Sequence, residues 1–260
     1  MELRFTNIGI DKDSFSIIEK EMNGIITNQY EKIENLFLLY NDIDNIEINH
    51  QKLERSDIKE YKKKISIIKK RINPKDYHLT CYEILLREIQ RKELKLKDTN
   101  KKIIDSLKIV GMNQSLQDRQ IYTLSNKEKK YLQLAISLIL NPEVIIVEDA
   151  FEYLDMKNEK KLFLLLQRIK DQYNKTIVFV SNRTERIYQY TNYVTIFVAN
   201  KILLKGKTNE IFKQVEILKE NKIEVPEIVE FTYKAIQNKK VKIDYHKDIR
   251  DIIKDIYKHV

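Results

Sequence analysis

Glycine is scarce in this chain, with four in 260 residues (Gly9, Gly24, Gly111 and Gly206) and no two close together. Loops that cradle phosphate need glycine, because their backbone takes positive φ and approaches the oxygens without a Cβ in the way. A glycine-rich nucleotide loop is therefore excluded. The single cysteine, Cys81, cannot form an internal disulfide, and the four histidines (His50, His78, His246, His259) are too dispersed for a local metal motif, so no metal centre is expected. Apolar runs are short. Those at 134–140 and 144–147 fall far below the roughly 20 residues of a membrane span, and the first residues lack a signal-peptide pattern. A soluble, cytosolic chain is the expectation.

What the chain does have is enough apolar side chain, 42%, to bury one large core or a core with a small appendage. Its net charge of +9 comes from 48 Lys and Arg against 39 Asp and Glu. The lysines interleave with acids, and runs such as 62–64 and 239–240 are short, which suits solvated faces better than a nucleic-acid surface.

Alternation of apolar and polar residues predicts antiparallel strands at 3–10 and 15–18. A strand at 24–27 leads into a helix over 30–40, where Ile33, Leu36, Phe37 and Tyr40 recur with helical period. Further strands are expected at 45–48 and 65–68. Helical patterning then dominates 77–140, with stripes at 81–91, 99–110 and 127–140. The continuous apolar run 144–147 reads as a strand buried on both faces of a parallel sheet. A helix at 158–173 and strands at 176–180 and 194–198 complete an alternating α/β half. A short strand at 202–204 precedes terminal helices, one of them started by Pro226.

From Leu124 the sequence runs Leu-Ser-Asn-Lys-Glu, continues through a helix to Asn141-Pro142, and reaches Val-Ile-Ile-Val-Glu-Asp-Ala at 144–150. This resembles the stretch of ABC-transporter ATPases from the signature motif (leucine, serine, two glycines, glutamine) to the Walker B strand. Tyr153-Leu154-Asp155 falls where that family has its D-loop, and Val180-Ser181-Asn182 where it has the switch histidine. Gly206-Lys207-Thr208, then Glu210-Ile211-Phe212, and the stretch 215–226 resemble the energy-coupling-factor branch, which serves vitamin and metal importers. Asn73-Pro74-Lys75-Asp76 and the helix from Cys81 resemble that branch's segment after the Q-loop.

The resemblance implies an α/β fold with a P-loop-NTPase-like core, an antiparallel β subdomain and a helical insertion. That domain is expected over 1–212, with its helical subdomain at about 77–140, and a helical extension over 213–260. ATP and Mg²⁺ are implied as ligands by resemblance alone. The implied partners are a second ABC ATPase, in a heterodimer, and a transmembrane coupling subunit, with the chain peripheral on the inner face of the membrane.

The residues depart from this pattern wherever ATP would be held. A working P-loop supplies glycine amides, a lysine to the phosphates and a Ser/Thr to Mg²⁺. Here the stretch carries Thr27, Lys32 one place out of register, Glu34 and Asn35. The Walker B acids are reversed, as Glu148 and Asp149, so charge survives while each reach changes by a methylene, and a cationic neighbour is expected to neutralise the pair. Asn182 replaces the switch histidine. In the signature, Asn126 and Lys127 replace glycines between Leu124, Ser125 and Glu128, and the Ser-x-x-Glu spacing reads as a helix capping box. Lys69-Lys70-Arg71 stands where the Q-loop glutamine is expected. Asp155 keeps the D-loop acid.

The expectation is a catalytically impaired ABC subunit. Two alternatives are a basic adaptor or nucleic-acid-binding protein on the same fold, and a weak ATPase using Glu148 and Asp149. A docking surface for the membrane subunit is expected along 70–88, around Asn73, Pro74, Tyr82, Leu85 and Leu86.

Overall fold

The computed structural model describes residues 1–38, 45–94, 97–149, 151–239 and 243–258. The chain opens with strands β1 (Leu3–Ile8), β2 (Asp13–Ile17) and β3 (Met22–Ile26) and helix α1 (Tyr30–Leu38). Short strands β4 (Ile46–Ile48) and β5 (Gln51–Lys52), helix α2 (Ile58–Lys63) and strand β6 (Ile65–Ile68) follow. Three helices come next: α3 (Cys81–Arg91), α4 (Thr99–Ile109) and α5 (Asn126–Ile139). Strands and helices then alternate as β7 (Val144–Glu148), α6 (Met156–Tyr173), β8 (Thr176–Ser181), α7 (Thr184–Tyr190) and β9 (Tyr193–Val198). Strand β10 (Lys201–Lys207) leads into helices α8 (Thr208–Phe212), α9 (Val215–Glu220), α10 (Glu227–Lys239) and α11 (Ile249–Lys258).

Two sheets form. One is antiparallel, in the order β2-β1-β4-β5, and the other runs β10-β9-β3-β8-β7-β6. In the larger sheet β3, β6, β7, β8 and β9 are parallel, and β10 turns back antiparallel on β9. Its inner strands are apolar on both faces because both faces are covered: every residue of β3 and β8 is buried. One core, around Phe5, Ile33, Phe37 and Phe197, lies between the two sheets and α1. The other, around Leu85, Leu107, Leu132 and Leu166, joins the opposite face to the helical insertion and to α6.

Local chemistry fixes the boundaries. The first strand ends at Ile8 instead of Ile10 because Gly9 turns the chain at φ 74°. A Cβ there would lie 2.3 Å from the Asn200 carbonyl oxygen, so only glycine fits this crossing of the two sheets. Capping boxes start α3, through Thr80 and Glu83, and α5, through Ser125 and Glu128. Asn174 ends α6 in the left-handed conformation. Helices α2 and α7 and strand β5 were not expected from periodicity, being too short to show one. Tyr40, the expected end of α1, lies outside the described residues, as do Ala150, 240–242 and 259–260.

Candidate functional site

Parallel register gathers the expected site residues at one edge of the sheet. Ile26 pairs with Ser181, Glu148 with Val180, and Ile68 with Val147. Thr27, Asp149, Asn182 and Lys69 therefore leave the sheet side by side at its carboxyl end, where open α/β sheets bind ligands.

Helix α1 begins at Tyr30, three residues beyond Thr27. Thr27 is buried, and its Oγ1 accepts the Gln29 N–H at 2.9 Å. The connection is a tight turn wound directly into a helix. Lys32 reaches sideways across the Phe197 ring, 5.5 Å from its centroid, and donates to the Asn200 side chain. Glu34 forms an ion pair at 2.6 Å with Lys69 from the end of β6. Asn35 sits half-buried one turn further along α1.

The Walker B-like acids are engaged from inside the molecule. Asp149, at φ 39°, accepts a hydrogen bond from Ser181 Oγ at 2.5 Å. The Tyr30 hydroxyl accepts the Asn182 N–H at 2.9 Å. Burial first, and then its hydrogen bond to Asp149, push the Tyr30 phenol up from its ordinary value. Glu148 is half-buried, and its carboxyl is raised by burial and by the negative charge of Glu34, with Lys69 and Lys130 acting in the opposite sense. The cationic neighbours expected for this pair are therefore these two lysines. Lys130 itself is only 4% exposed, and its Nζ donates to the backbone carbonyls of Lys69, at 2.9 Å, and Lys70. Burial pushes its amine down to about 8. Lys70 pairs with Glu152.

At the signature-like turn, Leu124 is buried and Ser125, Asn126, Lys127 and Glu128 start α5. Glu128 Oε2 accepts the Ser125 N–H at 2.8 Å, and Ser125 Oγ accepts the Glu128 N–H at 3.3 Å. Asn126 is exposed, and Lys127 lies over the Tyr131 ring at 5.7 Å. Asp155 caps α6 by accepting the Asn158 N–H at 2.8 Å. Tyr153, where the resembling family has glycine, takes φ 67°, so the left-handed backbone persists under a bulky side chain.

One expectation for the docking face requires correction. Leu85 is fully buried in the chain's own core, on the face of α3 that carries Cys81, Ile84 and Ile89. The helical period that suggested an outward stripe points it inward. Tyr82 and Leu86 remain half-exposed, and Asn73 and Pro74 are exposed at a turn where the Asn73 side chain accepts the Lys75 N–H. Sequence reasoning did not single out Tyr30, Lys130 or Ser181. Their signals were present only as a tyrosine at a helix start, one lysine among several on a helix, and a serine ending an apolar run. Among the described residues no cluster of three or more His, Cys, Asp or Glu is placed to hold a metal, and no helix is long and apolar enough to cross a membrane.

Two sheets, a helical insertion between β6 and β7, and motif positions gathered at the strand ends define an ATP-binding cassette. Residues 26–152 match the family described as ABC transporter. Relatives similar to this chain are named as energy-coupling factor transporter ATP-binding proteins. It is 23% identical over 224 residues to an energy-coupling factor transporter ATP-binding protein EcfA2 of Acetivibrio thermocellus, covering 84% of this chain and 80% of that relative. It is 29% identical over 127 residues to the protein of the same name in Streptococcus agalactiae, covering 49% of this chain and 45% of that one. Among solved structures, cbiO1 of Clostridium perfringens, described as part of the ABC transporter complex cbiONQ, superposes with a TM-score of 0.71 at 18% identity, covering 89% of this chain and 98% of that one.

Proposed function

We propose that this chain is a catalytically degenerate cassette subunit of an energy-coupling-factor-type importer, one that pairs with a second ABC ATPase and docks a transmembrane coupling subunit at the inner face of the membrane. The observation that carries the reading is the internal saturation of the strand-end acids. Asp149 is held by Ser181 and Tyr30, Glu34 is paired with Lys69, and Lys32 is turned onto Asn200. Mg-ATP does not fit these residues. A phosphate at the start of α1 would meet Glu31 and Glu34 on a helix with no glycine, and a magnesium ion at Asp149 would have to displace two hydroxyls. Catalysis also tolerates little misplacement, since about 1 Å costs roughly a hundredfold in rate. The chain then contributes shape, asymmetry or regulation to a complex whose power comes from its partner.

The docking face in this reading comprises the Asn73-Pro74 turn and the outward side of α3 at Tyr82 and Leu86, without Leu85. Phosphate release by the purified full chain with Mg-ATP is expected to be indistinguishable from that of Asp149→Asn. Glu148→Gln should leave uptake by the assembled membrane complex unchanged. Loss of uptake on Glu148→Gln with normal assembly would return the acid pair to a working role and defeat the reading.

A further inference from the structure

Strand β6 closes one side of the larger sheet, with β7 on its inner flank and no strand beyond it among the described residues. The ladder is parallel, and the Val144 N–H donates to the Lys64 carbonyl at 3.0 Å. In a parallel ladder alternate residues turn both backbone groups to the neighbouring strand, so Lys64, Ser66 and Ile68 face β7. Ile65 and Ile67 turn theirs outward. Among the described residues no hydrogen bond engages these two N–H and two C=O groups.

The open edge lies along a cleft of about 430 Å³, which Ile65 and Ile67 themselves line. Leu38 at the end of α1, together with α2, forms one wall, and Ile136 and Leu140 at the end of α5, with the end of α3, form the other. The cleft is aliphatic inside and charged at its rim. Six cations line it, Lys59, Lys62, Lys63, Lys69, Arg91 and Lys92, against Glu34 and Glu88. Glu34 pairs with Lys69 and Glu88 with Arg91, while Glu93 and Glu60 pair with Lys59 and Lys63. Counting all four acids, the rim still carries more positive than negative charge. Free edges are templates for another chain, and proteins blunt them with prolines, bulges or a covering element. Strand β6 contains no proline, and its pairing with β7 has no bulge. Its flanking Lys64 and Lys69 guard it only against a second copy of itself, whose like charges repel.

We propose that β6 is a docking edge for an extended segment of a partner protein, with an aliphatic centre and acidic ends, which adds to the sheet beside β6 as a further strand. The main chain of Ile65 and Ile67 offers it two donors and two acceptors. Successive side chains of a strand point to opposite faces, so the aliphatic centre meets Leu38 on one wall and Ile136 and Leu140 on the other. Its acidic ends match the sign of the rim. Backbone pairing holds the segment, and the charge selects which segment enters. The edge is open whether or not the chain hydrolyses ATP, and the outward side of α3 at Tyr82 and Leu86 takes no part in it.

Fluorescence anisotropy of the full chain with an end-labelled peptide, acetyl-Glu-Glu-Val-Ile-Val-Glu-Glu-amide, tests the proposal. Saturable 1:1 binding is expected, weaker at high salt. One set of alternate peptide N–H groups must face β6. N-methylation either of the central isoleucine or of the two valines should therefore weaken binding about fivefold or more. A peptide with lysines in place of the four glutamates should not bind. On the protein side, Ile67→Pro removes an outward N–H and no bond to β7, a place where edge strands tolerate proline. It should weaken the peptide about threefold or more, with circular dichroism verifying the fold, and the N-methylated peptides serve where that variant does not fold. Absence of saturable binding would overturn the proposal, as would full affinity for both N-methylated peptides, unchanged affinity in folded Ile67→Pro, or equal binding of the lysine peptide.

Discussion

Lys130 is where burial and charge oppose each other most directly. Its amine is shifted from about 10.5 to about 8, chiefly by burial, with Glu152, Asp149 and Glu148 pulling the other way and Lys70 adding to the shift. Below pH 8 both folded and unfolded chains carry the proton, and the cost of burying the charge stands in full. Between about 8 and 10.5 the folded chain sheds a proton that the unfolded chain keeps, so stability rises with pH through that window. The two carbonyl contacts survive deprotonation, because a neutral amine still has two N–H groups to give. Compared with Lys130→Met, the wild type should gain about 2 kcal/mol between pH 7.5 and 9.5. Urea unfolding of the two proteins side by side measures this, and the comparison cancels the titration of every other group. A difference that stays constant across the window would mean that Lys130 is not held in the buried, charged state.

At the scale of elements, α3 decides what the docking face can be. Leu85 packs inside, while Leu86, the next residue, is half-exposed. Leu85→Asp should therefore cost about 3 kcal/mol or more and unfold much of the chain, because it loses core packing and buries an unpaired carboxylate. Leu86→Asp should keep the circular dichroism spectrum of the wild type and lose co-purification with a membrane subunit. A folded Leu86→Asp protein that still co-purifies would remove α3 from the docking surface.

The same elements mark what was legible in the sequence. Capping of α5 by Ser125 and Glu128 was readable because it is local, its partners three positions apart. The buried strand at Val144–Glu148 was readable because a parallel strand covered on both faces needs a continuous apolar run. The inward turn of Leu85 was not, since a short helix with apolar residues on adjacent positions does not say which of them meets the core. Nor was the plug at Asp149, which joins Tyr30 to residues some 150 positions away that only the sheet brings near. Lys130 looked like any helix-surface lysine until the carbonyls of Lys69 and Lys70, about 60 residues earlier, closed over it.

In the molecule as a whole, the residues after Phe212 are fastened to the cassette through α7. The Tyr188 hydroxyl donates to the His246 carbonyl at 3.2 Å, Lys247 Nζ donates to the Thr191 carbonyl at 2.5 Å, and Glu185 accepts the Glu227 N–H at 3.1 Å. Helix α7 is itself set hard against β3, where a Cβ on Gly24 would lie 2.6 Å from Ile187 Cγ2, so the tail, α7 and the central strand form one stack. Val215, Leu218, Val229 and Ile252 are each no more than 1% exposed, and the first three belong to the same core as Phe212 and Tyr188. Burying a side chain of this size is worth about 1.5–3 kcal/mol, and a domain has only about 5–15 kcal/mol of net stability. A chain ended after Phe212 should therefore lose most of its stability and expose Tyr188 and Phe212. One ended after Lys239 loses α11 and the His246 and Lys247 contacts but keeps α9 and α10, and should still unfold cooperatively, at a lower urea midpoint. Urea unfolding followed by circular dichroism distinguishes the two truncations. If the chain ended after Phe212 keeps the full-length midpoint, residues 213–260 form an independent appendage, and the shared core counts for little.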